Sequence, residues 1–187
     1  WESFPEFMDA LGRMNHAIDI GVQVPHNPVR AYVMGAEAAQ GPATEEQMAR
    51  MAALVEEGLA AGALGFTTSR TKFHRTSKNE HVPSHFADLQ ELRTIVQALK
   101  KHGDGLIGVL SDFDEPEADM AGFRQLAAES GRPLYYLLVQ FDDKPDKWRR
   151  LLELSRPNGD GAQIRPQVCP RPVGFFLGLE CSLQPFM

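Results

Sequence analysis

TEEQMARMAALVEEGLAAGALGFTT, residues 44–68, contains one full step of the pattern from which the chain is built. Thr44 is a helix cap, and Gln47 three residues later completes a capping box. Met48, Met51, Ala52, Val55 and Leu59 then recur at helical spacing, so one face of this helix is buried. Gly62 stops it, and ALGFTT (residues 63–68) follows at once as a short, nearly continuous apolar strand. A capped amphipathic helix that runs straight into such a strand is half of a β-α-β unit.

The step recurs in both directions. Downstream, a polar loop over 69–84 leads to a helix over about 87–102 carrying Leu89, Leu92, Ile95, Val96 and Leu99. Gly103 and Gly105 end it, and LIGVL (106–110) is the next strand. Pro116 opens a helix through Phe123, Leu126 and Ala127, which Gly131 and Pro133 close before the strand LYYLLV (134–139). A helix around 146–154 and a strand over 163–168 follow, and the apolar stretch 172–179 reads as a buried strand and turn. Upstream, Phe4, Phe7, Met8, Leu11 and Met14 mark a helix. AIDIGVQV (17–24) alternates as a strand does, and PHNPVR (25–30) reads as a rigid loop. About five helix–strand units result. Short apolar strands separated by helices predict a parallel sheet covered by those helices.

The fold class is therefore α/β, and two architectures share this element order. One is a partial (β/α)8 barrel, truncated because a closed barrel takes about 250 residues and this chain has 187. The other is an open doubly wound sheet, complete at this length. No G-x-G-x-x-G follows a strand, so the fingerprint of a dinucleotide-binding sheet is missing. The chain reads as one segment, 1–187, with no second domain, and both ends read as cut from something longer.

Composition narrows the function classes. With a net charge of −6 the chain has no long-range attraction for phosphate backbones, and no nucleic-acid role is expected. Two cysteines are too few for a disulfide-stapled secreted domain, which points to a reducing cytoplasm. No apolar run approaches the roughly 18 residues of a membrane span, and no signal peptide is visible.

In either architecture, ligands meet the chain just beyond the carboxyl ends of the strands. That rule selects His26, Asn27 and Arg30 after the first strand, and Ser69, Arg70, His74 and Arg75 after the second. It adds Ser111, Asp112 and Asp114, then Gln140, Asp142 and Asp143, and finally Cys169 and Arg171. An arginine here would bind a substrate carboxylate through its forked donors, and Arg70 and Arg75 are the candidates. His74, His81 and His85 lie close in sequence, but Pro83 separates the last two. They form no zinc-binding helix face and read as solvated loop residues. Cys169 reads as a buried cysteine at a strand end, and no nucleophile elbow is present.

Three stretches resemble the amidohydrolase superfamily, specifically its N-acyl-D-amino-acid deacylase branch. They are WESFPEF (1–7), VPHNPVRAYVMG (24–35) and AGALGFTTSRT (61–71), and the helix before the last of these is similar to the family helix at that place. RPQVCPRPVGFFLGL (165–179) resembles a divergent branch of the same family. The resemblance implies a (β/α)8 barrel and a zinc-dependent hydrolase that cleaves the amide of an N-acylated D-amino acid. A metal-bound water would attack the acyl carbonyl and an aspartate would handle the proton. The family's H-x-H pair and bridging cysteine would precede this chain, and its catalytic aspartate would follow it. Two further histidine ligands should come after the third and fourth strands. There the chain reads LIGVLSDFD and YYLLVQFDD, without a histidine. Zinc is thus expected for the parent protein, but no residue here supports a metal site or a catalytic group.

The expected function is a share in an amidohydrolase acting on non-peptide C–N bonds, inactive as an isolated segment. His26, Arg30, Ser69, Arg70, His74 and Arg75 would face a small N-acylated substrate. The alternative is a non-catalytic binding or assembly protein on the same fold. An open sheet edge would also favour self-association into a homo-oligomer.

Overall fold

The computed structural model describes residues 1–141, 143–170 and 178. The described residues form five strands and six α-helices, with one α-helix before each strand except the second, which two precede. The strands are β1 (Val24–Pro25), β2 (Gly65–Ser69), β3 (Leu106–Leu110), β4 (Leu134–Leu137) and β5 (Ile164–Gln167). The helices are α1 (Phe4–Gly12), α2 (His26–Met34), α3 (Glu45–Ala60), α4 (Leu89–His102), α5 (Pro116–Ser130) and α6 (Lys147–Leu154). Local chemistry sets these limits. Ser3 with Glu6 and Thr44 with Gln47 form reciprocal capping boxes on α1 and α3. Asp88 caps α4 by accepting from the Glu91 backbone, while Gly103 and Gly131 close α4 and α5 in the left-handed conformation.

All strands are parallel, and their spatial order is β1-β2-β3-β4-β5. Each strand lies beside its successor, so the order never reverses. A doubly wound sheet requires a reversal, and the open-sheet alternative is thereby excluded. Successive crossovers of one hand put successive helices on one face. Accordingly α3 packs on α4, α4 on α5 and α5 on α6.

The register splits the sheet into two surfaces. Val24, Phe66, Ile107, Leu134 and Ile164 are aligned partners and all are buried under the helices. The next residue on each strand faces the other way: Pro25, Thr67, Gly108, Tyr135 and Arg165. On that inner face the Tyr135 hydroxyl donates to Gln23 Oε1 at 2.7 Å. In a flat sheet β4 and β1 would stand about 14 Å apart, three strand spacings, beyond the direct reach of these side chains. The sheet therefore curls, as a barrel wall does. Gly108 makes the crossing feasible, because a Cβ there would lie 2.4 Å from the Tyr135 hydroxyl.

Several sequence expectations need correction. PHNPVR is not a loop: His26 opens α2, and Pro28 is tolerated because first-turn amides have no helical partner to lose. Of the strand expected over 17–24 only its end pairs, through Val24 and a bond from Leu64 N to Val22 O. Ile18 and Ile20 are exposed, and among the described residues no strand lies beyond β1. Helix α4 starts at Leu89, which as its first residue is exposed and not part of the buried stripe. Cys169 falls beyond β5 and is half-buried. The strand expected over 172–179, Arg171, Asp142 and Cys181 lie outside the described residues.

At Gly65 φ is +148°, and a Cβ there would lie 2.0 Å from the Leu106 carbonyl oxygen. Gly65→Ala is expected to destabilise the chain by about 1–3 kcal/mol, the scale of local backbone strain. A denaturant midpoint unchanged by this substitution would show that β2 and β3 are not joined so tightly.

Candidate functional site

The residues selected from sequence fall into two layers. Behind the strand ends lies a buried ionic core. Arg30, on α2, donates from Nε to Glu91 Oε1 at 2.9 Å, and His26 Nε2 lies 2.8 Å from the same oxygen. All three side chains are fully buried. His26 Nδ1 sits 2.9 Å from the Thr68 hydroxyl. The other Arg30 donors reach the carbonyls of Ala38, Gly41 and Pro83. One arginine thus holds α2, the 3-10 turn Gly35–Ala39, the segment before α3 and the foot of the β2 loop. Asn27 adds to it by accepting from the Ser84 backbone at 2.7 Å, and the Ser84 hydroxyl donates to the Ser69 carbonyl at 2.5 Å. His26 and Arg30 are therefore built into the core, and the open face belongs to other residues.

Charge in this core is balanced by one cation and one anion. Burial pushes the His26 imidazole below its ordinary value, against the pull of Glu91. A neutral ring with its proton on Nε2 satisfies both contacts, donating to Glu91 and accepting from Thr68. Burial alone would raise the Glu91 carboxyl, but its bond from His26 and the Arg30 charge outweigh that and hold it ionised.

The second layer is the loop after β2, at the carboxyl end of the sheet. Ser69 is buried, and its hydroxyl lies 2.9 Å from Nδ1 of the exposed His74. Arg70 is half-buried and donates to the Ala87 carbonyl at 2.8 Å. Burial lowers its pKa, and Asp119, Asp88 and Glu91 pull the other way. Arg75 donates to the carbonyls of Lys72 at 2.8 Å and Asn79 at 3.4 Å, and among the described residues no carboxylate pairs with it. Asp112 links this loop to β3, accepting from the Thr71 hydroxyl at 2.5 Å and from the Lys72 backbone at 2.9 Å. Asp114 bridges Lys72 and Lys144 at 3.5 and 3.9 Å. The structure thus joins Ser69 directly to His74, while Arg70 and Arg75 are each held by backbone carbonyls. A cavity of about 930 Å³, lined by residues such as Phe4, Tyr32, Leu54 and Tyr135, lies instead beside β1.

The described residues do not fit a metal. No three histidine, cysteine, aspartate or glutamate side chains converge among them. His81 and His85 are not solvated, as expected from sequence, but half-buried and stacked, with centroids 4.0 Å apart and planes 5° apart. Rings stacked in parallel direct their lone pairs along separate planes, so they do not meet at one ion. Burial, His85 and Arg75 all keep His81 neutral.

Sequence reasoning missed Glu91, although a signal was present. Glu91 falls in phase with Ile95 and Leu99 on the apolar stripe of α4, and a carboxylate in such a stripe requires a buried cation. Replacing it tests the core. Glu91→Gln leaves Arg30 buried and unpaired, with an expected loss of about 3–5 kcal/mol by chemical denaturation. The pH dependence has a definite sign. His26 is depressed when folded, so its contribution is complete above the ordinary histidine value of 6.5 and is lost as pH falls below it. Glu91 adds a further loss below its ordinary 4.5. Stability should therefore fall between pH 7 and 5, and His26→Gln should flatten that slope; a slope unchanged in this variant would mean that His26 is charged in the fold.

Comparison with known proteins agrees with this geometry. A D-aminoacylase of Alcaligenes xylosoxydans xylosoxydans is 31% identical over 103 residues, 55% of this chain and 19% of the relative. An uncharacterised protein of Mycobacterium tuberculosis (strain ATCC 25618 / H37Rv) is 25% identical over 130 residues, 66% of the chain and 21% of the relative. The chain thus spans about a fifth of the length of these curated relatives. Among solved structures, a D-aminoacylase studied for the role of its binuclear metal centre superposes with a TM-score of 0.74 at 19% identity. That match covers 90% of this chain and 34% of the neighbour, and it shows a shared fold. The amidohydrolase family model matches residues 1–186. A parallel sheet curled by consecutive strands, with its polar rim at the carboxyl ends, is accounted for by that match: the chain belongs to the amidohydrolase family.

Proposed function

We propose that the protein containing this chain hydrolyses a non-peptide C–N bond, removing the acyl group from an N-acylated D-amino acid, and that this chain supplies barrel wall and substrate rim. The observation that carries this reading is Arg75. Its guanidinium is anchored by two backbone carbonyls and lacks a paired carboxylate among the described residues, one position from the exposed His74. A free amino-acid carboxylate is the natural partner for such a group. His74 is placed to orient the acyl amide, and Ser69 holds the His74 ring in one attitude. Arg70, tied to Ala87, shapes the rim from below. His26 and Arg30 support the loop from the core, since Arg30 grips its foot at Pro83.

Zinc is the metal that the family resemblance suggests, and when bound it would polarise the acyl carbonyl and activate water. The described residues do not fit it, so its ligands would come from elsewhere in the whole protein. On this reading the 187-residue chain alone is inactive.

The test uses the whole protein and the isolated chain side by side. The whole protein should release acyl groups from N-acyl-D-amino acids in a chelator-sensitive manner, and the isolated chain should show no turnover with or without added zinc. Arg75→Ala in the whole protein should raise KM about tenfold with little change in kcat, as the loss of a binding contact does. Turnover by the isolated chain, or unchanged kinetics in both Arg70→Ala and Arg75→Ala, would sink the proposal.

A further inference from the structure

The loop after β2 is closed at its neck by very little regular structure. Arg75 and His81 form an isolated antiparallel bridge. Inside it Thr76 N donates to the Glu80 carbonyl at 2.9 Å, and Asn79 N to the Thr76 carbonyl at 2.9 Å. A two-stranded turn of this kind is marginal in water without packing against something else.

What it packs against is an imidazole pair. His81 and His85 stack face to face with ring centres 4.0 Å apart, and Phe86 meets both rings edge-on. His85 is anchored: its Nδ1 lies 3.2 Å from the Arg70 carbonyl and takes the donor's part. The 3-10 turn that carries it, Pro83–Phe86, is gripped from α2, by Arg30 at Pro83 and by Asn27 at Ser84. His81 therefore joins the neck of the loop to a ring that is fixed in place.

The stack accepts neutral rings and opposes charged ones. His81 Nδ1 is buried with no hydrogen-bond partner among the described residues. In a neutral ring that atom is a bare lone pair, whereas a proton added there becomes a buried donor without an acceptor. A charged His81 would also face His85 at stacking distance and Arg75 across the bridge. Nearby charges do not compensate. Lys78 and Glu80 share the turn, Arg30 is taken by Glu91, and His74 is bonded to Ser69. Among the described residues neither Glu37, on the 3-10 turn packed against Pro83–Phe86, nor Asp88 forms an ion pair with either ring. Burial first, then His85 and Arg75, push His81 below its ordinary value of 6.5.

We propose that His81 and His85 are a proton-operated latch: neutral rings hold the neck of the β2 loop closed, and protonation of His81 parts the stack and frees the turn over 75–81. The closed neck is fully favoured above pH 6.5 and is lost as pH falls below it, the sign for an imidazole that the fold keeps neutral. Arg75 stands in that neck, so its position follows the latch. The device belongs to the loop and does not rest on the hydrolysis proposed above.

Backbone hydrogen exchange at the Thr76 amide reads the neck, and imidazole proton shifts in NMR spectra read the rings. After correction for the intrinsic pH dependence of exchange, protection of Thr76 should fall about tenfold between pH 7 and 5, the scale of one pKa unit. The His81 resonance should titrate over the same interval. His81→Phe keeps a ring on the stack but takes no proton, so its Thr76 protection should stay flat. His85→Phe should bring His81 back towards 6.5. Thermal midpoints above pH 7 confirm that each variant folds, and His26→Gln, which acts on the core, should leave the Thr76 response intact. Flat protection in the unaltered chain, a fall of equal size in His81→Phe, or a His81 titration that does not coincide with the loss of protection overturns the proposal.

Discussion

A single buried carboxylate decides how the first half of this chain packs. Glu91 enters the fold on the apolar face of α4, where an ionised group is tolerated only beside a compensating charge. Arg30 supplies it from α2, and His26 completes the shell from the first residue of the same helix. Because a guanidinium has donors to spare after meeting one oxygen, it also collects three backbone carbonyls from segments that make no regular structure together. The ion pair is therefore less a source of stability than a device of registration: through Pro83 it fixes where the loop after β2 comes back to the helix layer.

The two halves of the wall reach order by different means. In the first half the ionic core joins α2, α4 and the 3-10 turn Pro83–Phe86 at the far end of the β2 loop. In the second, Arg124 on α5 plays a parallel part. It grips Asp160 with two donors, Asn158 with a third contact, and the carbonyls of Leu154 and Arg156. The irregular stretch between α6 and β5 is thereby held to the helix layer. In both places a buried arginine substitutes for the secondary structure that a loop lacks.

Much of this was legible in the chain. Capping boxes at Ser3 and Thr44 and the closing glycines at 103 and 131 marked where helices start and stop, because those signals act through neighbouring backbone groups. The rule that ligands meet strand ends singled out Ser69, Arg70, His74 and Arg75, and of these the structure joins Ser69 to His74. What sequence could not supply was long-range pairing. PHNPVR looked like a loop because two prolines bracket it, yet a first-turn proline removes an amide that no helix would have used. Likewise, alternation over 17–24 signals a strand only where a neighbour exists to receive its bonds, and among the described residues β1 has a neighbour on one side only. His26 and Arg30 could not be told from surface residues until Glu91, 61 residues beyond Arg30, was placed against them.

The consecutive order of the strands also bears on how the chain reaches this state. Paired residues in the sheet are separated by only 27 to 42 positions, so each strand can add to the last as soon as its own helix has formed. Loop-closure entropy then grows little from one step to the next, and assembly can proceed by extension from any unit already in place. The hydrogen bond from Tyr135 to Gln23 breaks that economy, spanning 112 residues across the inner face. It can form only after the intervening strands have bent, which makes it a late event in folding and a reporter of curvature.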